Sequence, residues 1–551
     1  MSSLAHASAP LRVPAFRNLW IAATVSNVGS FLQTVAASWL MLELTGSATW
    51  VALMVASTTL PLLVIALPAG ALADLVDRRV MLVGAQFVMA AAALGMAALS
   101  WAGLVSPGRL LALGLLLGAG FAFNLPAWQA LVPDLVPRDL VPGAVALNSA
   151  SFNVARAVGP ALGGVLVATA GPGWAFALNA ASYLAVIAAL LVYRAAAPRR
   201  RPAAQETSVP SAIALGLRYA RFTPLVGRLL LVAAAFALTS AVLQATLPNL
   251  TQDTLGGDAR TLGLLLGAMG LGALAGAFSR PAVGERLGAA MVPAAIVAFG
   301  VCGVLVGLAR AVPVAALGMA LAGAAWVWTL STLNATTQLL APSWVRGRIM
   351  SLYTLAFLGF LPLGSILAGL AADAVGVPTA VVALSAATVV VGLVSARLHL
   401  PVLGEVAAEG AALEPVRPRD LSPHPAAVEG GPVTVQTTWV IDDADLEAFL
   451  DVMSEVRLIR LRTGASRWRL YRDVVDPHRM TELLVLPTWD RHLSQLAHMD
   501  RGGLETVRRA RAFDRTDGGP VTSHLAAIDV RDVRPGWDQL AAVASDASEA
   551  V

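Results

Sequence analysis

The chain has 551 residues, of which 57% are hydrophobic and 13% are charged, and its mean hydropathy is +0.71. A protein this apolar cannot stay in aqueous solution, so most of the chain must lie in lipid. All 38 basic residues are arginines scattered between apolar runs, which argues against nucleic acid as a partner. The single Cys302 excludes a disulfide framework, and no residue spacing predicts a metal site.

Twelve apolar runs are long enough to cross a bilayer as helices, since each crossing takes about 20 residues. The predicted spans are 17–43, 49–73, 80–102, 109–132, 142–170, 174–194, 225–249, 261–283, 289–309, 313–340, 349–372 and 377–398. A polar stretch divides them into two groups of six. With the N-terminus in the cytoplasm, only three loop arginines fall outside, namely Arg109, Arg260 and Arg310. This bias follows the positive-inside rule and predicts a multi-pass inner-membrane protein with both termini cytoplasmic.

A weak internal repeat supports two related halves. NLPAWQALVP (124–133) ends the fourth span and NATTQLLAP (334–342) ends the tenth, so Gln129 and Gln338 each lie four residues before a proline. Parallel halves around a central axis place a substrate site near the middle of the membrane.

The loop after the second span reads PAGALADLVDRR (68–79). It resembles the signature loop of the major facilitator superfamily, carried here by Gly70, Asp74, Arg78 and Arg79. The sequence departs from the family's form at Leu75 and at Asp77. The resemblance implies that Asp74 caps a neighbouring helix and that the arginine pair joins a cytoplasmic charge latch holding one access state. The alternative is an ordinary charged cytoplasmic turn.

The fifth span contains NSASFNVARAVGPALGG (148–164). Its GPALGG segment resembles the motif on the fifth helix of facilitator-type exporters, although Ala155 stands where glycine is usual; the motif residues are Gly159, Pro160, Gly163 and Gly164. Small residues allow helices to approach closely and a proline can bend the helix, so the segment is suited to rocking. Generic tight packing is the alternative.

Three long segments, 26–50, 126–164 and 346–369, resemble the drug and siderophore exporters of this superfamily, which include enterobactin-type and macrolide efflux proteins. The resemblance implies secondary active efflux of a small amphiphilic or anionic metabolite by alternating access. An importer or lysophospholipid-type flippase of the same fold remains open, as does a membrane-anchored cofactor-free monooxygenase. No GxxxxGK[ST] loop is present, so nucleotide hydrolysis is not the energy source, and no cofactor is expected.

Arg156, midway along the fifth span, is the clearest candidate for substrate binding, because an ionisable group deep in a span is costly. It is predicted to attract a negative substrate group, with hydrogen bonds from Asn27, Gln33, Asn124, Asn148 and Asn153. The alternative is a structural lock in which Arg156 bonds backbone carbonyls or Glu43. Glu43, near the outer end of the first span, is the best available proton-coupling residue, and Asp373 lies near the outer end of the eleventh. Asn179 and Ser182 are expected to form interhelical hydrogen bonds.

Two tryptophans inside the tenth span, Trp326 and Trp328, either line an amphiphile's path or pack against lipid. Trp344 lies near a span end and is expected to anchor the interface.

The C-terminal segment is charge-dense, with 15 Arg and 19 Asp plus Glu over 432–551. Its patterns predict strand, helix, strand, strand, helix, strand, the order of a ferredoxin-like α+β unit. The segment resembles small dimeric domains of the cofactor-free antibiotic-biosynthesis monooxygenase type, where Trp468, Trp489 and His492 would contribute to a pocket. A noncatalytic role in dimerisation or cargo contact is preferred, and no catalytic residue is assigned.

The predicted fold class is therefore an all-α polytopic membrane protein with twelve transmembrane helices in two six-helix halves, plus a C-terminal ferredoxin-like domain. The expected partners are the lipid bilayer and a small-molecule substrate, while a proton as coupling ion and dimerisation through the C-terminal domain are left open. The predicted boundaries are an N-terminal tail (1–16), two bundles (17–194 and 225–399), a central loop (195–224), a linker (400–431), the ferredoxin-like domain (432–530) and a C-terminal tail (531–551).

Overall fold

The computed structural model describes residues 9–192, 209–342, 344–400, 432–499 and 501–527. The predicted linker after residue 400 and the predicted C-terminal tail lie outside the described residues, as do the start of the N-terminal tail, the first part of the central loop and residues 528–530. The chain divides into two compact units. The first unit holds the apolar helices, and the second holds the C-terminal domain with the segments 210–227 and 339–349.

The apolar helices lie where the hydropathy predicts them, with ends that differ by a few residues. The first half consists of α1 (Pro14–Thr45), α2 (Ala48–Ser57), α3 (Leu60–Leu75), α4 (Arg78–Trp101), α5 (Pro107–Leu131), α6 (Val141–Ala170) and α7 (Pro172–Val192). A separate helix, α8 (Val209–Phe222), follows in the central loop. The second half consists of α9 (Pro224–Ser240), α10 (Val242–Asn249), α11 (Ala259–Leu287), α12 (Met291–Leu308), α13 (Val312–Leu340), α14 (Arg346–Leu358), α15 (Phe360–Val375) and α16 (Val377–Ala396).

Eleven stretches of the described chain are long and apolar enough to cross a membrane. One of them, Ala259–Leu308, has 50 residues, and a single helix of that length would extend about 75 Å, far beyond a hydrocarbon core of about 30 Å. The stretch is two helices, α11 and α12, separated where Gly288 takes a left-handed φ of 50°. Counted separately, these helices give twelve crossings, and the predicted fold class is confirmed.

Four described helix starts in the first unit have side-chain caps, which satisfy backbone N–H groups that have no partner within the helix. The capping residues and the amides they accept from are Ser47 with Trp50, Asp77 with Arg79, Ser106 with Arg109 and Asp258 with Thr261. The bond from the Thr261 amide, 3.0 Å long, lowers the pKa of the Asp258 carboxyl. Local sequence therefore sets where these helices begin.

The C-terminal domain is a four-stranded antiparallel sheet with helices on one face. Its elements are β1 (Val433–Val440), α17 (Leu446–Thr463), β2 (Arg467–Arg472), β3 (Arg479–Leu486), α18 (Trp489–Ala497), α19 (Arg501–Arg511) and β4 (Val521–Ala526). The strand order β2-β3-β1-β4 is that of a ferredoxin-like unit, as predicted. Alternate residues of β1 and β3 are buried, and Trp439, Phe449 and Met480 form the core beneath α17.

A charged pair is buried inside this domain. Arg460 Nε donates to Glu482 Oε1 at 3.2 Å, and the Glu482 side chain is only 2% exposed. Trp468 Nε1 donates to the same oxygen at 2.9 Å. The carboxylate therefore holds α17 and β2 against β3.

Removing this carboxylate is expected to destabilise the domain strongly. Glu482→Ala would leave the Arg460 charge half-buried without its partner, which costs about 3–5 kcal/mol. The effect would be measured by heating the full chain and using protease cleavage of the C-terminal domain to report its unfolding. Glu455→Ala is the matched control, because Glu455 pairs with Arg509 at the surface and is 52% exposed. The control is expected to change stability by less than about 1 kcal/mol, and equal effects would contradict the assignment.

Candidate functional site

The GPALGG segment of α6 packs against one helix of its own half and one of the other. A Cβ added at Gly163 would lie 2.9 Å from Leu32 O on α1, and one at Gly164 would lie 2.4 Å from Ala259 O on α11. Gly263 faces the same segment, since its Cβ would lie 2.6 Å from Pro160 O. Because backbone atoms occupy these positions, only glycine permits the contact. The segment thus forms a close contact between the two halves.

Arg156 lies on α6 one turn before this segment and faces the other half. Its guanidinium carbon is 5.5 Å from the centre of the Trp326 ring on α13, within the range of a cation–π interaction. Trp326 is buried and belongs to an aromatic cluster with Phe236, Phe299 and Phe357. Arg156 therefore lies between the halves, against an apolar wall.

No carboxylate pairs with Arg156 among the described residues, and none of the hydrogen bonds seen there involves its guanidinium. Glu43, the partner in the alternative prediction, instead accepts from Trp39 Nε1 at 2.7 Å near the exposed end of α1. The described contacts of Arg156 therefore do not form the structural lock that was its alternative prediction. The positive charge of Arg156 therefore has no charged partner among the described residues.

The predicted amide residues are engaged mainly within the first half. Asn179 Nδ2 donates to Gln33 Oε1 at 2.6 Å, an interhelical bond, and Gln33 itself is 5% exposed. The other three bonds run from Gln86 to Asn124, from Trp128 to Asn148 and from Asn153 to Ser149 O, at 3.0, 3.2 and 3.0 Å. Asn27 is half-buried on α1. None of these bonds joins an amide to Arg156, so the structure does not gather the predicted ligand set into one hydrogen-bonded group.

The signature loop makes its described contacts inside the first half. Asp77 caps α4, Arg78 pairs with Asp134 and donates to Ala130 O, and Arg79 donates to Leu191 O at 2.7 Å. Gly70 and Asp74 lie on α3, and the Asp74 side chain lies outside the described part. The cap at the start of α4 comes from Asp77, a position where the sequence departs from the family's form.

Asp373 joins the two halves, a role that sequence reasoning missed. From the end of α15 its carboxylate accepts hydrogen bonds from Ser47 Oγ, Ala48 N and Thr49 N, at 2.7, 2.8 and 3.1 Å. A carboxylate is favoured at a helix N-terminus, where amides lack partners. Nearby, a Cβ at Gly369 would lie 2.6 Å from Ala52 Cβ, so α2 and α15 are in close contact. We name these bonds the Asp373 latch.

The latch lies at the end of the bundle that the sequence predicts to be periplasmic. The turns at Gly46, Gly171, Gly256 and Gly376 lie at this end. A cavity of about 620 Å³ beside the latch is lined by Asn249, Asp253, Arg310 and Asp373, among others. The α6–α11 contact at Gly164 is on the same side of Arg156 as this end. The two halves are thus packed together between Arg156 and the predicted periplasmic surface.

The C-terminal domain brings together only part of its predicted pocket. His492 is 3% exposed, and its ring centre lies 5.3 Å from Trp489 and 4.9 Å from His524. Burial and the neighbouring His524 lower the pKa of His492 to about 4, so the imidazole is neutral. Trp468 instead bonds Glu482. Among the described residues, no three His, Cys, Asp or Glu side chains are grouped as metal ligands.

The sequence as a whole matches a family model described as transmembrane secretion effector, over residues 5–532. The chain belongs to this family. It is therefore a multi-pass membrane transporter, and the resemblance to exporters of the major facilitator type is confirmed. The family match extends through the ferredoxin-like domain.

Two efflux proteins are similar to this chain. The chain is 28% identical to the multidrug efflux pump Tap of Mycolicibacterium fortuitum over 395 residues, covering 70% of this chain and 95% of the pump. It is 31% identical to the enterobactin exporter EntS of Shigella boydii over 349 residues, covering 62% of this chain and 81% of the exporter. Both matches leave a large part of this chain without a counterpart.

Solved structures share the fold. A bacterial homologue of the lysosomal transporter Spinster, inward-facing and unoccupied, matches with a TM-score of 0.55 and 16% identity over 73% of this chain and 99% of that chain. A bacterial homologue of the iron transporter ferroportin, also inward-facing, matches with a TM-score of 0.58 and 16% identity over 70% of this chain and 98% of that chain.

Proposed function

We propose that this transporter exports small amphiphilic or anionic compounds from the cytoplasm by alternating access between its two halves. The observation that carries the proposal is the unpaired Arg156 guanidinium over the Trp326 ring, at the contact between the halves. An unpaired charge this deep in the membrane raises the free energy of the folded protein, so a functional role is expected for the arginine that carries it. A negative substrate group would supply the missing partner.

The aromatic cluster supports an amphiphilic substrate. Trp326, Phe236, Phe299 and Phe357 form an apolar wall beside the guanidinium. Binding sites of this kind combine an apolar lining with a few placed polar groups. The names of the two relatives, a multidrug efflux pump and an enterobactin exporter, support the direction of transport.

The Asp373 latch supports the interpretation that the described arrangement is open to the cytoplasm. It ties α2 to α15 at the predicted periplasmic end, so substrate would reach Arg156 from the cytoplasmic side. Rocking of the halves about the α6–α11 contact would then break the latch and release the substrate outside. The arginine bias supports cytoplasmic termini, Glu43 remains the candidate for proton coupling, and the C-terminal domain remains a candidate for dimerisation.

Replacing Arg156 tests the substrate role. Inverted vesicles would be incubated with carboxyfluorescein, an anionic amphiphile, or with ethidium, a cationic one, with and without a pH gradient, and dye uptake would be followed. Arg156→Ala is expected to reduce carboxyfluorescein uptake about tenfold or more, because a bond to a charged group is worth about 1.5–3 kcal/mol. Ethidium uptake should fall much less, and Arg156→Lys should retain part of the anion uptake.

The matched control is Arg260→Ala, since Arg260 is an exposed arginine at the start of α11. It should transport both dyes normally. Normal carboxyfluorescein uptake by an Arg156→Ala protein that inserts in normal amounts would overturn the substrate role.

A further inference from the structure

Three segments that are distant in sequence meet within the second unit: α8, the 339–349 loop, which takes in the end of α13 and the start of α14, and the end of α18. Tyr219 meets Trp344 edge to face, with ring centres 5.6 Å apart, and donates to Leu340 O at 3.5 Å. Trp344 stacks on His498, with ring centres 4.0 Å apart and planes at 11°. Trp344 is thus a contact to the C-terminal domain and not the interfacial anchor predicted from its place in the sequence.

A second contact ties α8 to the same domain. Phe222 packs against the apolar cluster that contains Val433, Leu484 and Leu486. The meeting of the three segments therefore rests on packed side chains as well as on the ring stack.

Positive groups from all three segments surround the Trp344–His498 stack. They are Arg218, next to Tyr219 on α8, Arg348, four residues after Trp344, and Arg491 on α18; all three are half-buried, as is the His498 ring. Burial and the charge of Arg491 lower the pKa of Arg218. Burial, Arg348 and Arg491 together lower the pKa of His498 to about 4. The ring contacts of Tyr219, Trp344 and His498 bring together the segments that carry the three arginines, and the direction of each pKa shift agrees with neighbouring positive charge.

No acidic side chain compensates this charge in the described part of the chain. The ion pairs seen there involve other arginines, and the Nε of Arg218 is buried without a hydrogen-bond partner. Half-buried like charges without a counter-ion disfavour the arrangement that holds them. The arrangement is more favourable if an anion lies among them.

We propose that Arg218, Arg348, Arg491 and His498 form a binding site for a phosphate group at the junction of α8, the 339–349 loop and α18. Three guanidinium groups offer several paired donors, and arginine forks match phosphate oxygens bidentately. The neutral His498 ring adds one N–H donor. A phosphate carries up to two charges and more acceptor oxygens than a carboxylate, so it fits three arginines better. The phosphate would fasten the domain to the two loops.

The phosphate has two conceivable sources, a soluble phosphate compound and the headgroup of an anionic lipid. α8 is amphipathic and carries a second arginine, Arg221, in its last turn, a composition that suits a membrane surface as well. Both sources would use the same four side chains.

Binding by the purified full chain in detergent tests the proposal. Inorganic phosphate and pyrophosphate would be titrated by calorimetry, and short-chain phosphatidylglycerol would be compared with phosphatidylcholine by native mass spectrometry. Arg491→Gln and Arg218→Gln are expected to weaken binding about tenfold or more. Arg491→Lys, which keeps the charge and loses the fork, should weaken it less. The matched control is Arg469→Gln, an exposed arginine of β2, which should bind as the unaltered chain does.

Saturable binding of inorganic phosphate or pyrophosphate that depends on Arg218 and Arg491 would identify a soluble source. Binding of phosphatidylglycerol alone, with the same dependence, would identify a lipid headgroup. The proposal is overturned if neither binds, or if Arg469→Gln weakens binding as much as Arg491→Gln. Circular dichroism and gel filtration of each variant would show that the folded protein is being compared.

Discussion

Asp373→Ala is expected to shift the protein away from the arrangement closed at the predicted periplasmic end. The substitution removes the acceptor for Ser47 Oγ and for the amides of Ala48 and Thr49. Losing a helix cap costs about 0.5–2 kcal/mol, so the ratio of closed to open molecules should fall several-fold, up to about thirtyfold. Substrate would meet the cytoplasm-open state less often, and export should slow accordingly.

Spin labels at Leu44→Cys and Val375→Cys would measure this shift in a Cys302→Ser background. Both positions are exposed, at 39% and 57%, and lie at the latch end on opposite halves. Electron–electron resonance should show a longer distance gaining population in Asp373→Ala. Asp253→Asn is the control, because Asp253 lines the same cavity but is not bonded to Ser47, Ala48 or Thr49. An unchanged distance distribution in Asp373→Ala would show that the latch does not hold the halves.

Gly164→Val is expected to abolish most transport while leaving the separate halves folded. Even the first added carbon would lie 2.4 Å from Ala259 O and 2.9 Å from Gly263 Cα, which are backbone atoms of α11. Overpacking of this kind costs about 1–3 kcal/mol or more, and here the strain falls on the contact between halves. Export rates should therefore drop at least about tenfold.

The control for this substitution is Gly84→Ala, which adds a Cβ where there is open space. Gly84 lies on α4, and no atom lies within 4 Å of the Cβ that alanine would add. Dye uptake into inverted vesicles should be normal for the control and nearly absent for Gly164→Val. Transport by Gly164→Val at the control's level would mean that α6 and α11 do not approach this closely during the cycle.

The helices and their ends follow from sequence because each is determined locally. Apolar length predicts the crossings, and short caps such as Ser47 and Asp77 fix the first turns. The strand order of the C-terminal domain agrees with the predicted succession of strand, helix, strand, strand, helix and strand, which is that of a ferredoxin-like unit. Gly288 shows the same locality, since it lies in the gap between the predicted spans 261–283 and 289–309 and takes a positive φ of 50° where the two helices separate.

The site is only partly predictable, because its contacts join residues that are far apart in the chain. Arg156 could be singled out by its depth, but its Trp326 neighbour could not. Gln33 has the same polar character as a ligand, yet it bonds Asn179 inside the first half. Asp373 is noticeable as an acid at a span end, but the helix start that it caps lies more than 300 residues earlier.

The junction in the second unit escaped prediction for a related reason. Hydropathy treats residues 195–224 as a polar loop and Trp344 as a span-end aromatic, because it reads each segment alone. The stack on His498 depends on the fold of a domain that begins much later in the chain. A tryptophan in a short polar loop beside arginines was the available signal.

Cross-linking of the latch tests alternating access most directly. Ser47→Cys and Asp373→Cys, combined in a Cys302→Ser background, place two thiols where a hydrogen bond of 2.7 Å now joins the halves. Oxidation should stop dye uptake by inverted vesicles, and reduction should restore it to the level of the Asp373→Cys single variant. Full transport by the cross-linked protein would contradict the account, because its halves would then be moving substrate without separating at this end.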